Sequence, residues 1–207
     1  MATDCGKDFN FITDRLAIGS LASRSTPGFV AVVSVVTVEG RHRGRPWSAE
    51  LTARAPQVPN GADVVGEVSL RDNEWSWYRE NTGKCLKDNE VPVLTVDIAD
   101  GEASSDKTAY SSTHEDDRDL DFYLDETTEF IADNIKRGCV LVHCGAGISR
   151  SAAVVIAYLC RYAGMSYAEA LAFVKTKRPQ VAPADVFKEA IGRWLGLDKL
   201  ATTGPRQ

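Results

Sequence analysis

The chain has 207 residues, 43% of them hydrophobic and 26% charged, with a formal net charge of −5. That composition argues against wholesale disorder, and the length suits one domain with tails or insertions whose core needs no metal or disulfide. The acidic balance argues against a nucleic-acid binder, which would carry a basic domain, but not against an anionic ligand, because binding follows the local field of a pocket.

Residues 1–10 read as a tail. Met1-Ala2-Thr3-Asp4 carries no basic-then-apolar leader, and Ala2 excludes an N-myristoyl site. The stretch from Phe11 to Ser20 (FITDRLAIGS) partly alternates and predicts a short strand. Phe29 to Val38 (FVAVVSVVTV) is a continuous β-branched run, the mark of a strand buried on both faces in a parallel sheet. From Glu39 to Glu90 the pattern breaks down. Gly40 to Pro46 is a basic turn, and Pro56, Pro59, Asn60 and Gly61 are breakers. Val64 to Leu70 and Trp75 to Tyr78 add a strand and a turn of helix there.

Val91 to Ile98 (VPVLTVDI) predicts another strand, and Asp100 to Asp119 a long polar loop. Leu120, Tyr123, Leu124, Thr127, Ile131 and Ile135 fall at helical spacing, giving a helix from Asp119 to a stop at Gly138. Cys139 to His143 is a short buried strand. A loop of small residues, Cys144 to Ser149, leads into an apolar helix from Arg150 to Ala163, ended by Gly164. Ser166 with Glu169 fits a capping box opening a helix that runs to Arg178 and stops at Pro179. Pro183 opens a last helix with Phe187, Ala190, Ile191, Trp194 and Leu195 on one face, and residues 197–207 read as a frayed tail.

The order of elements predicts an α/β fold: a central, mostly parallel sheet with helices on both faces and a functional loop at the carboxyl end of a strand. One domain spans residues 11–196, with insertions around 39–90 and 103–115. The 5 cysteines (Cys5, Cys85, Cys139, Cys144, Cys160) are odd in number and irregularly spaced, which is no disulfide framework. No His/Cys pair has zinc-ligand spacing. The longest apolar run, Ala152 to Cys160, is too short to span a bilayer. The expectation is a cytosolic or nuclear chain with no membrane or nucleic-acid partner; oligomeric state stays open.

Chemistry concentrates in His143-Cys144-Gly145-Ala146-Gly147-Ile148-Ser149-Arg150-Ser151. A strand, a tight loop and a helix N-terminus in succession aim backbone N–H groups at one point, an anion site. Gly145 and Gly147 let that backbone curl. A thiol at the centre of such a field has a lowered pKa and supplies thiolate at neutral pH. Arg150, at the helix start, returns over the loop with a planar fork suited to two phosphate oxygens. One loop thus holds nucleophile, oxyanion cradle and clamp.

His143-Cys144 through Arg150-Ser151 resembles the HCxxGxSRS signature of dual-specificity protein phosphatases, within the protein tyrosine phosphatase superfamily. Ile12 to Ser20 resembles the opening strand of that family. Asp121 to Ile135 resembles the helix before the signature, and Arg178-Pro179 with Pro183 and Phe187 its closing segment. The resemblance is loose over the first forty residues and good over residues 91 to 196.

The resemblance implies a phosphatase acting on phosphorylated proteins, at phosphotyrosine and at phosphoserine or phosphothreonine, without metal or organic cofactor. It implies that Cys144 attacks phosphorus and that Arg150 and the amides of Gly145, Ala146, Gly147, Ile148 and Ser149 hold the phosphate. Ser151 would hydrogen-bond the thiolate, and His143 would orient the loop from outside the pocket.

A general acid must protonate the leaving oxygen. Asp100, just past the 91–98 strand, matches the family position, although it lies farther before Cys144 than is usual. An insertion at 103–115 accounts for the excess, and Asp97, Asp106, Asp116, Asp117 and Asp119 stay open. Ala184 stands where the family usually has Asn after the closing proline. The basic turn with Arg41, Arg43 and Arg45 and the aromatics Trp75, Trp77 and Tyr78 are candidate groove contacts, with a solvated turn and a local packing cluster the favoured reading. Two other functions compete. One is a phosphatase of a non-protein ester, against which the uncharged loop residues argue. The other is a non-catalytic phosphate-binding module, against which the paired Cys144 and Arg150 argue.

Overall fold

A computed structural model describes residues 8–36, 49–54, 65–66, 91–98 and 120–197. Its strands are β1 (Phe9–Phe11), β2 (Leu16–Gly19), β3 (Phe29–Val36), β4 (Ala49–Arg54), β5 (Val65–Gly66), β6 (Val91–Asp97) and β7 (Cys139–His143). Its helices are α1 (Leu120–Asn134), α2 (Arg150–Tyr162), α3 (Tyr167–Lys177) and α4 (Asp185–Trp194). A short 3₁₀ turn, Leu21–Ser25, follows β2.

The strands form one sheet in the order β1-β2-β7-β3-β6-β4-β5. Its centre, β2, β7, β3 and β6, is parallel throughout. The margins are antiparallel: β1 on β2 at one edge, β4 on β6 and β5 on β4 at the other. The sheet is therefore mixed, mostly parallel at its centre and flanked by helices, as the β-branched runs of β3, β6 and β7 predict.

Alternation within the strands sorts the core. Leu16, Ile18, Ala31, Val33, Val35, Leu94, Val96, Val140 and Val142 face the side where all four described helices pack. The other face carries a smaller cluster, Phe9, Ala17, Phe29, Val32, Val93 and Leu141. The expectation of helices on both faces is thus met on one face by the described residues. α2 is buried almost all round, as its apolar sequence predicts.

Local signals set the helix ends. Gly164 takes φ 67, the left-handed conformation that ends α2. Both hydrogen bonds of the Ser166–Glu169 capping box form at α3. α1 closes four residues before its predicted stop, and the chain turns there through Arg137 and Gly138, whose N–H groups donate to the Asn134 carbonyl.

Two elements differ from the sequence expectation. β1 begins at Phe9, ahead of the boundary drawn at residue 11, and makes the opening segment a hairpin rather than one strand. β4 lies in a stretch for which no strand is predicted. Its residues, AELTAR, include helix formers, and it is a strand because it pairs with β6 over its whole length, from Ala49↔Val96 to Arg54↔Val91. β5, Val65–Gly66, falls inside the predicted Val64–Leu70 strand, the rest of which lies outside the described residues. Among the described residues, no helix is long and apolar enough to cross a membrane.

Candidate active site

The loop begins where β7 ends, at the carboxyl edge of the parallel strands. β2 runs beside β7 with Gly19 opposite His143, so both chains leave the sheet together. They stay in contact. The Leu21 N–H donates to the Gly145 carbonyl at 3.0 Å, and the Cys144 N–H to the Gly19 carbonyl at 3.4 Å.

Gly147 closes the bend. Its φ is 70, and a Cβ there would stand 2.5 Å from the Gly19 oxygen and 2.7 Å from Arg178 Nη2. Both the conformation and the space exclude any larger residue. Gly145 is different: its φ is not positive, and a Cβ would meet only Arg150 Nη2 at 3.4 Å, an ordinary contact. Of the two loop glycines, the geometry demands one.

Cys144 is 1% exposed, and its sulphur lies inside the curl. Sγ is 3.2 Å from Ser151 Oγ and accepts the Gly147 N–H at 3.2 Å. Burial pushes the thiol pKa up. The Ser151 hydroxyl and the N–H groups of Ser151, Gly147 and Ile148 outweigh that and hold it below the ordinary thiol value.

Arg150, the first residue of α2, is also buried, and its Nη1 donates to the Ile98 carbonyl at 3.2 Å. That contact ties the start of α2 to the end of β6. His143 lies beneath the loop, fully buried, and neither ring nitrogen has a hydrogen-bond partner of normal geometry among the described residues. Burial lowers its pKa to about 4, partly opposed by the Cys144 main chain and reinforced by Arg24, so the ring is neutral at neutral pH.

The closing segment between α3 and α4 supports the loop from the other side. The Ala182 N–H donates to the Ile148 carbonyl at 3.0 Å, and the Ala184 N–H to Ser149 Oγ at 3.2 Å. Ala184, standing where Asn is usual, thus contacts the loop through its backbone. Arg178 is a support to which the sequence reading, naming it only within the closing segment, gave no role. It is 4% exposed; its Nε donates to the Gly147 carbonyl at 2.8 Å, Nη2 to the Ala146 carbonyl at 3.2 Å and Nη1 to Asn10 Oδ1 at 2.6 Å. The available signal was its place beside Pro179 in the closing segment.

The structure therefore brings together Cys144, Gly147, Ile148 and Ser151, with Gly145, Ala146, Ser149, Arg150 and His143 completing the loop and its base. Asp100 lies outside the described residues, as do Asp106, Asp116, Asp117 and Asp119, the basic turn and the Trp75–Tyr78 aromatics. Among the described residues, no group of three or more His, Cys, Asp or Glu side chains is placed to hold a metal ion.

The arrangement is a buried thiol ringed by hydrogen-bond donors at a helix N-terminus, and the fold that carries it is found among solved structures. The structure of human DUSP28 superposes with a TM-score of 0.57 at 22% identity, over 96% of this chain and 99% of that one. The dual specificity phosphatase catalytic-domain model matches residues 73–195, and the chain belongs to that family. Dual specificity protein phosphatase 1 of Arabidopsis thaliana is 42% identical over 100 residues, covering 46% of this chain and 50% of the relative. Dual specificity protein phosphatase 16 of Homo sapiens is 52% identical over 78 residues, covering 37% of this chain and 11% of the relative. The chain thus spans half or less of the length of these relatives.

Proposed function

We propose that this chain is a cysteine-dependent protein phosphatase that hydrolyses phosphotyrosine and phosphoserine or phosphothreonine through a phosphocysteine on Cys144. The observation that carries the reading is a buried thiol whose sulphur is ringed by hydrogen-bond donors at the mouth of a helix N-terminus. Family membership supports a phosphorylated protein as substrate.

In the first step the Cys144 thiolate attacks phosphorus in line. An S–P bond forms, the P–O bond to the leaving group breaks, and a general acid protonates the departing oxygen. The equatorial oxygens are held by loop N–H groups and by the fork of Arg150, which stabilise charge where it develops. In the second step the same group, now deprotonated, takes a proton from water as that water attacks phosphorus, the S–P bond breaks with its electron pair returning to sulphur, and inorganic phosphate leaves. Ser151 eases that departure by hydrogen-bonding the sulphur, and His143 holds the base of the loop. Neither step consumes a metal ion or an organic cofactor.

Asp100 is the proposed general acid. Two residues before it, the Ile98 carbonyl touches Arg150, so the chain enters that segment beside the clamp. The catalytic domain is proposed to span residues 9–196, taking in β1, with insertions around 39–90 and 103–115, in the cytoplasm or nucleus.

The test is hydrolysis of a small aryl phosphate by wild type and Cys144→Ser, under reducing conditions with a chelator. Turnover by wild type and a loss of roughly 10³-fold or more in the variant is expected. No turnover by folded wild type, or equal rates in both, would sink the reading.

A further inference from the structure

Arg178 performs none of the chemical steps, yet it is a buried cation that contacts the loop on the side away from the thiol. A buried guanidinium needs full hydrogen bonding to offset its lost hydration. Among the described residues no carboxylate lies within ion-pair distance of it, although the charge of Asp8 favours its protonated form. Its partners are the carbonyls of Ala146 and Gly147 and the side-chain oxygen of Asn10.

Those two carbonyls belong to particular peptide units. The Ala146–Gly147 unit carries the N–H that donates to Cys144 Sγ at 3.2 Å. The Gly147–Ile148 unit carries the Ile148 N–H that also lowers the thiol pKa. In a planar trans peptide the C=O and N–H point in opposite directions. Whatever holds the carbonyl outward therefore holds the N–H inward. Rotation of either unit would turn an oxygen toward the thiolate and the phosphate, replacing attraction with repulsion. Gly147, lacking Cβ, puts little steric resistance in the way of such rotation.

We propose that Arg178 is a positioning residue. Its fork grips the Ala146 and Gly147 carbonyls, with Asn10 as anchor, and so keeps the two N–H groups behind them aimed at the Cys144 sulphur. The geometry needs a fork: Nε and Nη2 reach two adjacent carbonyls while Nη1 reaches β1 across the loop, which one ammonium cannot do. The contact links three parts of the chain: β1, the loop and the residue that follows α3.

The inference rests on the thiolate reading of Cys144, and its test is independent of turnover. The pH dependence of iodoacetamide alkylation at Cys144, located by peptide mass spectrometry, is measured for wild type, Arg178→Lys and Asn10→Ala, beside thermal unfolding. Arg178→Lys is expected to remain folded, to shift the alkylation midpoint to higher pH, and to react at least about threefold more slowly at pH 6. Its kcat/KM should fall by roughly tenfold or more. Asn10→Ala should shift the midpoint the same way by less.

A folded Arg178→Lys with the wild-type alkylation profile overturns the proposal. A fall in Tm and activity with the profile unmoved does so as well, because that marks a merely structural contact. If Arg178→Lys does not fold, Asn10→Ala decides: an upward shift supports the clamp and an unmoved midpoint overturns it. Failure of the nucleophile reading itself would appear in the Cys144→Ser assay instead.

Discussion

Cys144 and Cys160 stand at opposite ends of the α2 segment, one just before it and one in its last turns, and both are buried, at 1% and 8% exposure. Burial disfavours the thiolate at each. At Cys160 it is the cause of the shift, and the pKa is raised. At Cys144 burial also pushes upward, but the Ser151 hydroxyl and three backbone N–H groups reverse it. The difference shows that directed donors, not the depth of burial, set the direction in which the thiol pKa moves. A thiol in the same protein without that ring of donors is a small hydrophobe that fills space.

Arg150→Lys is expected to have the largest effect. A point charge cannot reproduce the planar fork, so kcat should fall by roughly 10²- to 10³-fold. The hydrogen bonds found at the Cys144 sulphur come from Ser151 and from loop N–H groups. Alkylation of Cys144 should therefore stay near its wild-type profile, and stopped assays with both readouts would separate phosphate binding from thiol activation. An equal loss in both would break the separation.

Ser151→Ala should move both readouts together. It removes the largest of the contributions that lower the Cys144 pKa, so that pKa moves up. Thiolate forms as pH rises through the pKa, so the acid limb of kcat/KM and of alkylation moves to higher pH. At pH 6 the reaction should slow about three- to tenfold, and above both pKa values alkylation by variant and wild type should converge. An unmoved acid limb would remove Ser151 from thiol activation.

Cys160→Ala is the smallest. Activity should hold within about twofold, while urea unfolding shows a loss of about 1 kcal/mol from the lost sulphur packing. A large loss of activity with no loss of stability would give Cys160 a function that its surroundings do not suggest.

Much of the site was legible because its chemistry is contiguous. From His143 to Ser151 a single stretch carries the thiol, the bend, the amides and the guanidinium, and the strand before and helix after it announce themselves by composition. The same holds for β3, β6 and α1, where β-branched runs or helical spacing match the observed elements closely. β1 was hidden because three residues show no period. β4 was hidden because pairing with β6, not its own residues, makes it a strand. The two loop glycines read alike, yet Gly147 is demanded by its φ and by the Gly19 oxygen, and Gly145 by neither.

The sequence by itself determined the order of thiol, loop amides and guanidinium, because these groups lie on residues adjacent along the chain, where spacing translates directly into geometry. The tertiary structure alone decided what holds that loop in shape. Arg178 lies 31 residues from the Gly147 it grips, and 168 from Asn10. Gly19 reaches Gly147 only because β2 and β7 run side by side. Contacts at such separations leave no local pattern, since the partners are chosen by how the sheet and the closing segment pack and not by their neighbours in sequence.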